Sequence, residues 1–178
     1  MQTIVIYKTK YGSTKVYAEW ISEALECDII DAKSVTVEKL ADYDTIIYGG
    51  GLYAETINGV HFITRNFDKL KDKNIIVYTT GITPVDCHEY YGEMVMEKNF
   101  KPDIAEKIKV YNYLGKMVID ELSLVHRTGL KSLKKIMNEK ENPTELEKML
   151  INLCDVDADL TDKSAISELV EYVKSLEA

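Results

Sequence analysis

Thr3-Ile4-Val5-Ile6-Tyr7-Lys8-Thr9-Lys10-Tyr11-Gly12-Ser13-Thr14 joins a continuous apolar run to a short polar stretch built around one glycine. A run that is apolar at successive positions suits a strand covered on both faces, as in a parallel sheet. Directly after it, Tyr17, Trp20, Ile21, Ala24 and Leu25 recur at i, i+3, i+4, i+7 and i+8, the spacing of one helix face. A strand, a tight loop and a helix in that order open a β-α unit.

The pattern then repeats. Asp28-Ile29-Ile30-Asp31 reads as a weak second strand near an edge, Thr45-Ile46-Ile47-Tyr48 as a third, Ile75-Ile76-Val77-Tyr78 as a fourth and Ile108-Lys109-Val110-Tyr111 as a fifth. Helical patterning covers about residues 58–71 and 88–99. Five such units with right-handed crossovers predict an α/β architecture: an open, doubly wound, five-stranded parallel sheet with helices on both faces. Before the last helix, whose Ile166, Leu169, Val170 and Val173 should face the sheet, lies an extra helical segment. It is expected as a helix over about 116–138 and a second one opened by Asn142 as cap, Pro143 at the first position and Glu145 reaching back. With no divisive linker, residues 1–178 read as one domain.

The chain has 178 residues and a formal charge of −8, with 46% hydrophobic and 29% charged residues. That acidity argues against nucleic-acid binding, whose footprint is a basic face. The three cysteines, Cys27, Cys87 and Cys154, are sparse and unpaired in spacing, as in a reducing, cytoplasmic setting. The run Ile4 to Tyr7 is too short for a signal peptide, and no segment has the length to span a bilayer.

In a doubly wound sheet a ligand binds beyond the carboxyl ends of the strands, where the strand order reverses. The loops after the first, third and fourth strands are therefore the candidates, and all three are rich in Gly, Ser, Thr and Tyr. A helix amino terminus attracts phosphate through unpaired N–H groups, and Thr9, Ser13 and Thr14 could complete a cage around it. Alternatively, Ser13 or Thr14 merely caps the helix. No GxGxxG or GxxxxGK[ST] follows the first strand, the acids of a receiver domain are missing, and no cysteine stands in this loop for a phosphatase.

Thr9-Lys10-Tyr11-Gly12-Ser13-Thr14 resembles the T-x-[TSD]-G-x-T phosphate loop of the flavodoxin family, with Tyr11 in place of a small hydroxyl residue or Asp. The resemblance is closest to the flavodoxin-type, quinone-dependent protoporphyrinogen oxidase-like subgroup. It rests on Gly49-Gly50-Gly51-Leu52-Tyr53, Phe100-Lys101-Pro102-Asp103, Tyr113-Leu114-Gly115 and the extra helical segment. It implies a flavodoxin-like fold, with sheet order 2-1-3-4-5, and one non-covalent FMN. Thr9, Lys10, Tyr11, Gly12, Ser13 and Thr14 would hold the phosphate. Gly49, Gly50, Gly51, Leu52, Tyr53 and Ala54 would line one side of the isoalloxazine, and Thr79, Thr80, Gly81 and Ile82 would lie under or beside it. Tyr53 could stack on the ring or be a surface tyrosine in a glycine-rich turn. No catalytic acid or base beyond the flavin is implied.

Other residues carry less. Adjacent Cys87 and His88 do not suit a nucleophile–base pair, His61 and His126 are expected at helix surfaces or boundaries, and no metal-ligand spacing occurs. Residues 82–92 read equally as a lid or as the start of the next helix. Val118, Leu122, Val125, Leu133 and Ile136 could form one stripe beside Arg127, Lys131, Lys134 and Lys135. The preferred reading is a core-facing helix with a solvated back; peripheral membrane contact is the other. The function that follows is an FMN-binding redox protein, an electron carrier or a small oxidoreductase, whose partner is a redox protein, a quinone or a small-molecule substrate. From another class comes a ligand-sensing or interaction module with a degraded flavin site.

Overall fold

In a computed structural model, which describes residues 1–177, the apolar runs assemble into one parallel sheet. Its strands are β1 (Thr3–Lys8), β2 (Asp28–Asp31), β3 (Thr45–Tyr53), β5 (Asn74–Gly81) and β6 (Ile108–Leu114), in the order β2-β1-β3-β5-β6. These are the five expected strands in the expected order. A two-residue strand, β4 (Thr56–Ile57), folds back antiparallel on the end of β3 and was not expected.

Alternation along each strand explains why the runs are apolar throughout. Ile4, Ile6, Ile46, Tyr48, Ile75 and Val77 join one buried cluster, whereas Val5, Ile47, Ile76 and Tyr78 join another. Each buried aliphatic side chain contributes about 1.5–3 kcal/mol. The first cluster is covered by Ile63 of α2 (His61–Arg65), Phe67 and Leu70 of α3 (Phe67–Leu70), Val95, and Ile104 of α5 (Pro102–Ala105). The second is covered by Tyr17, Ala18 and Ile21 of α1 (Ser13–Leu25) and by Leu169, Val170 and Val173 of α8 (Ser167–Ser175), as the periodicity of those helices predicts.

Several boundaries differ from expectation. The helix over 58–71 is two short ones because Asn66, at φ −103° and ψ 10°, leaves the helical region and its side-chain amide donates to the Phe62 carbonyl instead. Residues 90–95 form a π-helical turn that runs into α4 (Met96–Asn99). β3 continues through Gly49, Gly50 and Gly51, where the sequence suggested it ended.

The largest correction concerns the extra segment. Lys116–Met117 is a strand, β7, paired antiparallel with β8 (Ala158–Asp159), and a 3-10 turn occupies Ile119–Glu121. Helix α6 begins only at Leu124 and ends at Asn138, so Val118 and Leu122 are not on it. Its cap is Ser123, whose hydroxyl accepts from the His126 amide. Helix α7 (Glu145–Leu153) is capped by Thr144, not Asn142: Thr144 and Glu147 exchange side chain-to-backbone hydrogen bonds in a capping box. Two rival cap signals lay two residues apart, and the reciprocal pair won. Among the described residues, no helix is long and apolar enough to cross a membrane.

Candidate functional site

The β1–α1 loop sits at the carboxyl end of the sheet where the strand order reverses, with β2 on one side of β1 and β3 on the other. Gly12 precedes α1 at φ 98°, a conformation that favours glycine, and a Cβ there would meet nothing within 4 Å. No side chain caps α1, and its first turn carries no acid. The Ser13 and Thr14 amides that open α1, the open face of Gly12 and the Lys10 ammonium form a donor set that fits a phosphate monoester.

The hydroxyls in this loop have partners of their own. Thr9 Oγ1 accepts the Gly12 amide at 2.9 Å, which closes the loop. Ser13, 9% exposed, accepts the Lys116 amide at 2.8 Å. Thr14 Oγ1 pairs with Thr80 Oγ1 at 2.8 Å inside the protein. Ser13 and Thr14 thus tie the loop to neighbouring segments, and neither caps the helix.

Two of the three glycines of β3, Gly49 and Gly50, have a packing reason. A Cβ on Gly49 would come 2.0 Å from the Tyr78 ring, which crosses it on the way to the Thr14 carbonyl, where its hydroxyl donates at 2.8 Å. Gly50 is held close by Ile57 and Asn58 in the same way. Beyond them Leu52 and Tyr53 pair with β4, and the turn residues Ala54 and Glu55 take φ values of 46° and 60°. Such a two-residue turn usually uses Asn-Gly. Here it is clamped from α4: Lys98 Nζ donates to the Ala54 carbonyl at 2.7 Å and Asn99 Nδ2 to the Glu55 carbonyl at 2.6 Å.

In the third loop, Thr79 is fully buried and donates to Asn112 Oδ1 at 2.7 Å. The Gly81 carbonyl accepts the Gly115 amide at 2.7 Å, and Ile82 is half-buried. The loops converge: Thr14 meets Thr80, the Cβ position of Gly81 lies 3.5 Å from Leu52, and the Tyr11 and Tyr53 rings meet edge to face with centroids 6.0 Å apart.

Sequence reading placed His126 at a helix surface or boundary and gave it no part here. The first turn of α6 brings it over both tyrosines. Its imidazole stacks on Tyr53 with centroids 4.7 Å apart and planes 28° apart, and its Nδ1 lies 2.7 Å from the Tyr11 hydroxyl. Ser123 adds a backbone N–H to Tyr11 Oη at 3.2 Å and accepts from Lys10 Nζ at 3.3 Å. Desolvation raises the Tyr11 phenol, but the Ser123 hydrogen bonds and the Lys10 charge outweigh it and hold the group below its ordinary value. Burial, with Tyr11 alongside, pushes Tyr53 up to about 12. Desolvation first, and the Lys10 charge second, hold His126 below its ordinary value. A neutral imidazole follows at neutral pH, hydrogen-bonded through Nδ1 to the Tyr11 hydroxyl. His126 thus covers one face of the Tyr53 ring. Nothing local marks His126 for this role, since its partners are more than seventy residues distant in sequence.

Two grooves, of about 450 and 390 Å³, flank the free edge of β6, away from the α1 loop. Val85, Val110 and Asn112 line both. Cys87 and His88 make no side-chain hydrogen bond to each other, and His88 lines the smaller groove.

The flavodoxin domain profile matches residues 4–147. Among solved structures, a flavodoxin from the domain Archaea is 19% identical, with 76% of this chain and 99% of that chain covered and a TM-score of 0.43. The flavodoxin-like WrbA-like protein of Agrobacterium tumefaciens is 15% identical over 70% of this chain and 87% of its own, with a TM-score of 0.48. Megasphaera elsdenii flavodoxin in its two-electron reduced form is 17% identical over 62% and 82%, with a TM-score of 0.46. No curated protein matches the chain.

Proposed function

Because the chain belongs to the flavodoxin domain family, we propose that it binds one FMN at the β1–α1 loop and works as a redox protein. The observation that carries this reading is the uncapped amino terminus of α1 behind Gly12, at the reversal point of the sheet. FMN supplies one- and two-electron transfer when bound. The chain contributes the rest. Lys10 and the first-turn amides hold the phosphate, Leu52 and Tyr53 offer an apolar and an aromatic wall, and Gly81 and Ile82 stand opposite. Within this reading the protein is an electron carrier or a small oxidoreductase. The extra segment and the motifs shared with the quinone-dependent protoporphyrinogen oxidase-like subgroup favour the oxidoreductase.

A second reading, a ligand-sensing module without flavin, is favoured by one observation: His126 already stacks on Tyr53. One experiment separates the two. An absorbance spectrum of the purified protein, followed by titration with FMN and FAD, is expected to show flavin bands and FMN-selective uptake. A colourless protein that takes up neither would overturn the redox reading and leave the module. If FMN binds, turnover with quinones against transfer to a redox protein divides enzyme from carrier.

A further inference from the structure

Helix α6 distributes its side chains in a way a core-facing helix would not. Leu124–Asn138 carries Arg127, Lys131, Lys134 and Lys135 and no acid, in a chain whose formal charge is −8. Its inward side is made by His126, Leu130 and Met137, which are buried or half-buried. Exposed around the rest of it are Leu124 at 80%, Val125 at 78%, Ile136 at 58% and Leu133 at 44%. Ile136 lies three turns beyond Val125 on the same side of the helix. This corrects the core-facing reading: the stripe of Val125, Leu133 and Ile136 is real, but it faces water. Single exposed aliphatic residues need no explanation, whereas four on one helix do.

The cations flank that strip unequally. Arg127 and Lys134 are tied to Asp120 and Asp155 of the same segment. Lys131 meets no acid among the described residues, and Lys135 reaches only the exposed Glu139, at 3.8 Å. Along the apolar, solvent-facing strip, Lys131 is therefore unpaired among the described residues and Lys135 is held only by a loose, exposed pair.

We infer that the outward face of α6 is a docking surface for an anionic lipid bilayer. The helix lies on it with Val125 and Ile136 at the acyl boundary and Leu133 on one flank, while on the other flank Leu124 lies beside Lys131 and Lys135, whose ammonium groups meet the phosphates. Charge selects this occupant. A second copy meeting the same face across a twofold axis would set cations against cations. His126 is on the inward side of the same turn as Leu124 and Val125, so the docked surface borders the loops of the candidate site.

Flotation of the full chain with phosphatidylcholine vesicles and with phosphatidylcholine–phosphatidylglycerol vesicles tests the inference. Binding is expected only to the anionic vesicles at low salt, with release as salt is added. Lys131→Glu with Lys135→Glu should weaken it by roughly tenfold or more. Leu124→Ser, Val125→Ser and Ile136→Ser together should abolish it while circular dichroism and thermal melting stay unchanged. Absence of binding to anionic vesicles at low salt, equal binding to both vesicle types, or binding undiminished in both variants would overturn the inference. Flavin uptake of the same samples is read separately, and its failure would leave the vesicle result intact.

Discussion

The five-stranded body and the segment from Lys116 to Asp159 use apolar residues in opposite ways. In the body, Val5, Ile47 and Ile76 on the strands and Ile21 and Leu169 on the helices are fully buried between two layers. In the segment, four aliphatic side chains of α6 face water, while Leu130 and Met137 turn inward and the helix packs against α7. Its base is the β7–β8 pair and the Ser13–Lys116 hydrogen bond, and its tip is the contact of Ser123 and His126 with Lys10, Tyr11 and Tyr53. The same residue types that make a core in one region make a surface in the other. Periodicity reports which side chains share a face, and only the packing reports what that face meets.

The sharpest test of this contrast uses two glycines. Gly49→Ala should destabilise the body by upwards of about 3 kcal/mol in urea unfolding, because the new methyl would occupy the Tyr78 ring. Gly129→Ala, in α6 with nothing within 4 Å, should instead stabilise the helix by about 1 kcal/mol. Comparable losses in both variants would mean that α6 is packed as tightly as the sheet.

Next in size, Ile76→Ala should cost about 2–5 kcal/mol and Ile136→Ala no more than about 0.5 kcal/mol, measured by the same unfolding. Ser13→Ala should cost about 1–3 kcal/mol, since it leaves the Lys116 amide without its acceptor. Hydrogen exchange should then speed up at Lys116 and Met117 before it does in β1. Uniform exchange across both would show that the segment and body open together.

The smallest effect is on the docking of α6, and it has a definite sign. His126 in the docked state resists protonation, whereas an undocked histidine takes up a proton near about 6.5. Docking is thus complete above that pH and weakens as the pH falls below it. Imidazole and tyrosine proton resonances followed from pH 7.5 down to about 5 should report separation of the His126 and Tyr53 rings. His126→Ala should remove that dependence and, in a protein that binds FMN, speed its uptake. A pH-independent ring contact would show that the tip is fixed by packing alone.

Much of the body was legible because its signals are local. Thr3 to Tyr7, Thr45 to Tyr48 and Ile75 to Tyr78 announce strands buried on both faces, and Tyr17 and Ile21 announce the helix between them. The end of β3 was not legible, since Gly49-Gly50-Gly51 usually breaks a strand and here continues one to make room for Tyr78. Nor was the start of α6: Lys116 and Met117 are a strand only because Ala158 and Asp159, some forty residues away, pair with them. In the candidate site, the position of the β1–α1 loop followed from strand order, and Gly12 from its loop. The engagement of Ser13 by Lys116 and of Tyr53 by His126 did not, because each depends on where a distant segment folds back.

The two ends of that segment stand side by side: the Leu160 amide donates to the Gly115 carbonyl at 3.2 Å, just where β7 and β8 leave and return. A chain that departs and re-enters at neighbouring points beyond the end of β6 disturbs the register of none of the five main strands. Everything between can therefore be lengthened, shortened or exchanged as a cassette, by recombination or by design, while the strands beneath keep their alignment. Such a junction lets the reach and the docking partner of the protein diversify faster than its fold.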